Sequence, residues 1–340
     1  MMRMSRLGLA AMLAAALTVP AAFGAQPEKA QPRKAAEPDK LLPADADSIV
    51  YLNLKQIVEA DVIKKYALDQ IKQALNGQDA KKLLEDMGLD PMKDIEKVWA
   101  GMSGSGPEDT KALVIVHGKF DPDKLFKAAE AVTKKDGDKF SMVKDGSATM
   151  FKYQPEQGNP MYCTVVDDAT VVVGTDKKLV TAALKQAEEK KKAPIKAELT
   201  DLIKTLDEKS SMFAVALVKD KFANVKFPGG GMSPIDLSGL EKSLPKAETM
   251  SVVVKVTANI DLELVFGMKD EDAASDMDAA AAKLITDLAG FVPALVAFEP
   301  KAKPLADVVK TLKSEAKKKN VTLTGRISGD VIGKLIAPEG

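Results

Sequence analysis

Cysteine and histidine occur once each in the 340 residues of this chain. One thiol cannot form a disulfide within the chain, and a body of this size can bury enough core to do without one. Cys163 lies in the apolar run Tyr162-Cys163-Thr164-Val165-Val166 and reads as a small buried hydrophobe. His117 follows Leu113-Val114-Ile115-Val116, with neither a cysteine nor a second histidine near it. It reads as a structural residue at a strand end rather than a general base. A zinc site built from nitrogen and sulfur is left without its ligands.

Aromatic residues are scarce as well, at 5% with a single tryptophan. This disfavours base-stacking surfaces and sugar-binding clefts. Beyond residue 24 the only arginines are Arg33 and Arg326, and every other cation is a lysine. Arginine is the side chain suited to bidentate recognition of phosphate. Setting aside Arg3 and Arg6 reduces the 49 basic residues to 47 against 49 acidic ones, a net charge of −2. Nucleic acid is therefore not expected as a partner.

What the chain does contain begins with an export address. Arg3 and Arg6 form a basic start, Leu7 to Ala22 is uncharged, and Ala22-Phe23-Gly24 supplies small residues before a cut. Residues 1–24 thus read as a signal peptide cleaved after Gly24, which places the mature chain in the periplasm or outside the cell. Pro20 interrupts the apolar run, so it is not read as a membrane span. No transmembrane span is expected in the mature chain. Residues 25–40 hold three prolines, many charges and no large apolar side chain, the composition of a disordered spacer. Order is expected from Leu41.

The 316 residues after the leader (340 less 24) exceed one typical domain, so two domains or a duplicated fold is expected. Residues 41–206 read as a first half and residues 207–340 as a second, shorter one. Ser48 to Leu54 is a β-branched strand, and apolar spacing over Ile57 to Leu75 predicts a helix. Asp121-Pro122 marks another helix start, since aspartate caps free N–H groups and proline fits the first turn. Asp145-Gly146 is a tight-turn dipeptide between two strands. Ile260, Leu262, Leu264 and Phe266 alternate with Asp261, Glu263, Val265 and Gly267, the pattern of an antiparallel strand with one apolar face. Hairpins mixed with helices predict an α+β class, with antiparallel sheet in two related halves and helices packed on one face.

Internal likeness supports two related halves. Leu199 to Leu206 matches Leu305 to Leu312 by letter and size, and each is followed by a strand. Ser48 to Ile57 has the shape of Met212 to Phe222 and of Val321 to Val331, and Ala112 to Val132 resembles Ile260 to Leu288.

Motifs that would carry chemistry fail on inspection. Gly101-Met-Ser103-Gly-Ser105-Gly106 misses the nucleophile elbow, because Ser105 stands where glycine is required. Ser243-Leu-Pro-Lys246 spells S-x-x-K, but Pro245 opposes the helix that motif needs. Phe227 to Pro234 is glycine-rich without the Gly-Lys-Ser/Thr ending of a phosphate loop. The acidic groups at Asp136, Asp138, Asp167, Asp168 and Asp270 to Asp272 lack the ligand count of a calcium loop. No catalytic, cofactor-binding or metal-binding residue is assigned, and no binding residue is identified.

Pro43-Ala44-Asp45-Ala46 before an apolar strand, the strand–helix units, and the Val165-Val-Asp-Asp168 hairpin to Val172-Val-Gly-Thr175 carry a resemblance. They resemble exported bacterial proteins of unknown function with two related α+β halves. That resemblance implies the architecture and no activity. The expected function is a non-enzymatic structural or binding role in the periplasm or cell envelope, with an envelope protein or an apolar ligand as partner. The alternatives are a carrier of a lipid or other apolar ligand, and a hydrolase using dispersed acidic residues or serine.

Overall fold

A computed structural model describes residues 34–336 except 105–108, 147, 157, 190 and 228–234. The expected signal peptide, the start of the expected spacer and most of the glycine-rich loop lie outside the described residues.

The chain opens with β1 (Ser48–Asn53), then α1 (Leu54–Glu59), α2 (Asp61–Tyr66), α3 (Leu68–Leu75), α4 (Gln78–Met87) and α5 (Pro91–Asp94). There follow β2 (Ile95–Ser103), β3 (Lys111–Gly118), α6 (Pro122–Lys135), β4 (Phe140–Asp145), β5 (Ala148–Tyr153), β6 (Met161–Asp167) and β7 (Thr170–Gly174). Helices α7 (Lys177–Glu189) and α8 (Ala197–Lys204) lead to β8 (Met212–Leu217), α9 (Ser238–Ser243), β9 (Ala247–Val256) and β10 (Ile260–Met268). The long helix α10 (Glu271–Phe298), α11 (Lys303–Val309), β11 (Lys313–Lys317), β12 (Asn320–Ile327) and α12 (Gly329–Ile336) complete it.

The twelve strands of the described residues form one sheet, in the order β11-β12-β10-β9-β8-β1-β2-β3-β7-β6-β5-β4. Every pairing is antiparallel. The class is α+β, as the mixture of hairpins and helices predicts. The order has an internal pattern. Outward from the centre, one side runs β1-β2-β3-β7-β6 and the other β8-β9-β10-β12-β11. With the β4–β5 hairpin set aside, both sides follow the same strand order, and a helix follows the third strand of each. This places Ser48 to Ile57 opposite Met212 to Phe222, and Ala112 to Val132 opposite Ile260 to Leu288, the pairs that look alike in sequence. The Leu199/Leu305 likeness is different in kind. It joins α8, before the central strand β8, to α11, before the edge strand β11.

Directly paired residues in an antiparallel sheet share a face. On one face Ile49, Tyr51, Trp99, Leu113, Ile115, Phe213 and Val215 pack under Val180 and Ala183 of α7 and Leu199 and Ile203 of α8. Three neighbouring central strands contribute the rings of Tyr51, Trp99 and Phe213, with centroids 4.7, 4.7 and 5.5 Å apart. Burial first, then the Glu208 carboxylate, pushes the Tyr51 phenol up to about 12. On the other face Leu264, Phe266, Met268, Val321 and Leu323 lie under Ala273, Ala274, Met277 and Ala281 of α10. Helix α6 shares that face, with Phe126 edge-on to Phe151 at 5.3 Å. In the second half the helices therefore cover one face, and Asp261, Glu263, Thr322, Thr324 and Arg326 line the half-exposed opposite side. In the first half α7 and α8 add a second cover.

Local signals explain most boundaries. The Asp121 carboxylate accepts the Lys124 N–H at 3.1 Å, with Pro122 in the first turn of α6. Gly88 ends α4 at φ +62°, and Gly146 turns the β4–β5 hairpin at φ +61°. Two expectations differ from the structure. The helix predicted over Ile57 to Leu75 is divided into α1, α2 and α3, because Ala60 is extended and the Val62 N–H donates to the Thr257 carbonyl at 3.0 Å. A tertiary hydrogen bond overrides the helical spacing there. Order also begins by Lys34 rather than Leu41. Ala36 is 2% exposed, its N–H donates to Leu206 O at 2.9 Å, and Glu208 N–H donates to Lys34 O at 3.1 Å. Backbone pairing, which composition does not register, holds the end of the expected spacer.

Candidate binding surface

Helix α10 is polarised along its length. Asp270 caps it, accepting the Ala273 N–H at 2.7 Å, and Glu271 and Asp272 sit at its positive end. Lys246 pairs with Asp276 at 2.6 Å, and Lys283 with Asp287 at 2.7 Å. From Leu288 to Phe298 no residue is charged. Ala273, Ala274, Met277 and Ala281 anchor the first half in the core. In the last turns Val292 is buried and Leu288, Phe291, Leu295 and Val296 are half-buried. Ala289, Gly290, Pro293, Ala294, Ala297 and Phe298 face solvent.

By length and composition alone α10 could cross a membrane, with a mean hydropathy of 1.6 over its most apolar eighteen residues. Only 11% of that window is buried, whereas a core helix of this composition would be mostly buried. Phe298 ends the helix at 91% exposure, an extreme value for an aromatic side chain. Pro293 lacks an N–H to return to the Ala289 carbonyl, and both residues lie on the solvent side, where water can satisfy that oxygen.

Two neighbouring helices continue the apolar surface. Leu305 of α11 is 37% exposed and Leu335 of α12 is 50% exposed. Helix α11 touches both α10 and α12. Around them stand the exposed Lys303, Lys310 and Lys334. All three act on Asp307. The Lys310 hydrogen bond, with Nζ 3.0 Å from Oδ1, chiefly holds its carboxyl below the ordinary range, and the charges of Lys334 and Lys303 add to this. The rim thus sets three lysines around Asp307, with the exposed Glu299 beside Phe298 and Asp330 at the start of α12.

Of the other residues with reactive side chains, His117 and Asp47 join segments distant in the chain. His117 Nε2 lies 2.5 Å from Asp39 Oδ2, and Nδ1 lies 3.4 Å from Thr170 Oγ1. The row aspartate–histidine–threonine has the composition of a hydrolytic relay. Here Thr170 is buried, and both ring nitrogens face partners that fix the N-terminal segment to β3 and β7. Cys163 is half-buried on β6 rather than buried as expected; desolvation pushes its thiol up to about 11, so it stays protonated at neutral pH. Asp47 accepts from Lys196 at 2.6 Å and from Lys221 at 3.0 Å, and Lys221 also reaches the Gly104 carbonyl at 3.2 Å. Among the described residues no three potential metal ligands gather.

Two clefts accompany these features. One, of about 610 Å³, lies between α3, α4 and α5, with Leu75, Leu84, Leu89 and Met92 beside Lys72 and Lys81. The other, of about 230 Å³, lies between the N-terminal segment and α7, and is smaller than typical ligand pockets of roughly 300–1,000 Å³. The charge-free run from Leu288 to Phe298 is the sequence signal of the α10 surface. The strand–helix likeness stops at Leu288, short of it. Comparison with known protein families finds none that matches this chain, and comparison with curated proteins finds no match.

Proposed function

We propose that this is an exported, non-enzymatic binding protein of the periplasm or cell envelope. The observation that carries the reading is the solvent-facing, charge-free end of α10, finished by Phe298 and widened by Leu305 and Leu335. Large apolar side chains clustered at the surface with a polar rim are a common mark of an interaction site. The leader-like residues 1–24 support export, and the resemblance to exported two-half α+β proteins agrees with it. His117 and Asp47 support a non-catalytic role, since both serve as struts between segments.

A carrier of an apolar ligand is the second reading, favoured by the 610 Å³ cleft and its five apolar side chains, Pro91 included. Two measurements test the first reading. The leaderless chain is screened against esters, peptides, glycosides and phosphate esters, with and without divalent ions, and no turnover is expected. A photo-reactive residue at position 298 is expected to form adducts in the envelope that the same residue at position 201, on the exposed side of α8, does not. Turnover, or equal labelling at both positions, overturns the proposal.

A further inference from the structure

We infer that the end of α10, with α11 and α12, docks on the surface of an anionic lipid bilayer. This deepens the binding-protein reading and rests on it.

Geometry selects docking over spanning. Ala281 is the last α10 residue in the core cluster, so 282–298 is the longest stretch that could leave the body. Seventeen residues of helix cover roughly 25 Å, less than the hydrocarbon thickness of about 30 Å. Lys283 and Asp287 shorten the apolar part further. What remains is an apolar tip that enters the headgroup boundary while the body stays in water.

Charge selects the kind of surface. The acidic residues Glu271, Asp272, Asp276 and Asp278 all stand at the far end of α10. Beside the tip, Lys303, Lys310 and Lys334 encircle Asp307. The segment 299–310, which follows the tip, carries three basic against two acidic residues. Lysine stems can lie along the apolar boundary while their ammonium groups meet lipid phosphates. The same rim argues against a second copy as occupant. A two-fold contact through this patch would face lysines with lysines.

The experiment is co-sedimentation of the leaderless chain, which retains every described residue, with phosphatidylcholine vesicles prepared with or without phosphatidylglycerol. Binding is expected with phosphatidylglycerol and at least about tenfold weaker without it. Phe298→Ser combined with Leu305→Ser is expected to weaken binding by about tenfold or more. Lys303→Glu with Lys334→Glu is expected to do the same, and Asp201→Asn to change nothing. Both mutated groups are surface residues, and an unchanged near-ultraviolet spectrum confirms the fold. No pelleting with anionic vesicles, or equal pelleting of all variants, overturns the inference. So does self-association that Phe298→Ser abolishes in a chain that ignores vesicles. Any of these leaves the binding-protein reading standing with another partner, whereas turnover in the substrate screen removes that reading itself.

Discussion

His117 on β3 and Asp39 in the N-terminal segment meet at 2.5 Å, across 78 residues of chain. This contact, with the hydrogen bond from the Gln186 side chain to the Lys40 carbonyl, fastens the last residues of the expected spacer onto the sheet. Asp39 also accepts the Leu41 N–H at 2.8 Å, just before the buried Leu41 and Leu42. Asp39→Asn or His117→Ala is expected to destabilise the protein by about 1–3 kcal/mol, the range for a broken, partly buried hydrogen bond with a charged partner. Hydrogen exchange is the specific readout: amides 36–42 lose protection while those of α10 do not.

Asp47 predicts a pH dependence. The Lys196 hydrogen bond, with help from Lys221 and against the opposing effect of burial, holds its carboxyl below the ordinary value of 3.8. A carboxylate with a lowered folded pKa binds fewer protons folded than unfolded around that value. Its stabilisation is therefore fully present above the unfolded pKa and disappears as pH falls through the folded one. The stability difference between wild type and Asp47→Asn, about 1 kcal/mol, is expected to be constant at neutral pH and to shrink below about pH 4. Urea titrations across that range measure it.

Gly118 is required by space. A Cβ there would stand 2.0 Å from the Asp94 carbonyl oxygen, where β3 ends against the start of β2. Backbone must move to admit it, so Gly118→Ala is expected to cost about 1–3 kcal/mol or more in urea unfolding. Gly146 has nothing within 4 Å of its would-be Cβ, but its φ of +61° favours glycine. Gly146→Ala is expected to cost less, about 1 kcal/mol.

Cys163 is expected to resist alkylation. With its thiol pushed up to about 11 by burial, iodoacetamide at about pH 8 labels the native chain far more slowly than the urea-unfolded one. Equal rates would contradict the desolvation of this half-buried thiol.

Much of the fold was legible because its signals are local. The period-two pattern of Ile260 to Phe266 places β10 with its apolar side under α10, and Asp121-Pro122 and Asp145-Gly146 mark a helix start and a hairpin. Distant partners were not legible. The Val62 hydrogen bond to Thr257 divides a helix that spacing alone would continue. Pairing with Leu206 and Glu208 orders residues that composition reads as spacer. The α10 surface was half legible. Its charge-free run is plain in the letters, but an apolar helix is usually covered, and only the packing leaves Phe298 in water.

The most direct test of the central claim is Phe298→Trp with anionic vesicles containing brominated lipid. Trp99 is buried against Tyr51 and Phe213, so its emission serves as an internal constant. Emission from position 298 is expected to shift to the blue and to be quenched when vesicles are added. Emission that stays water-like and unquenched at every lipid concentration would contradict it.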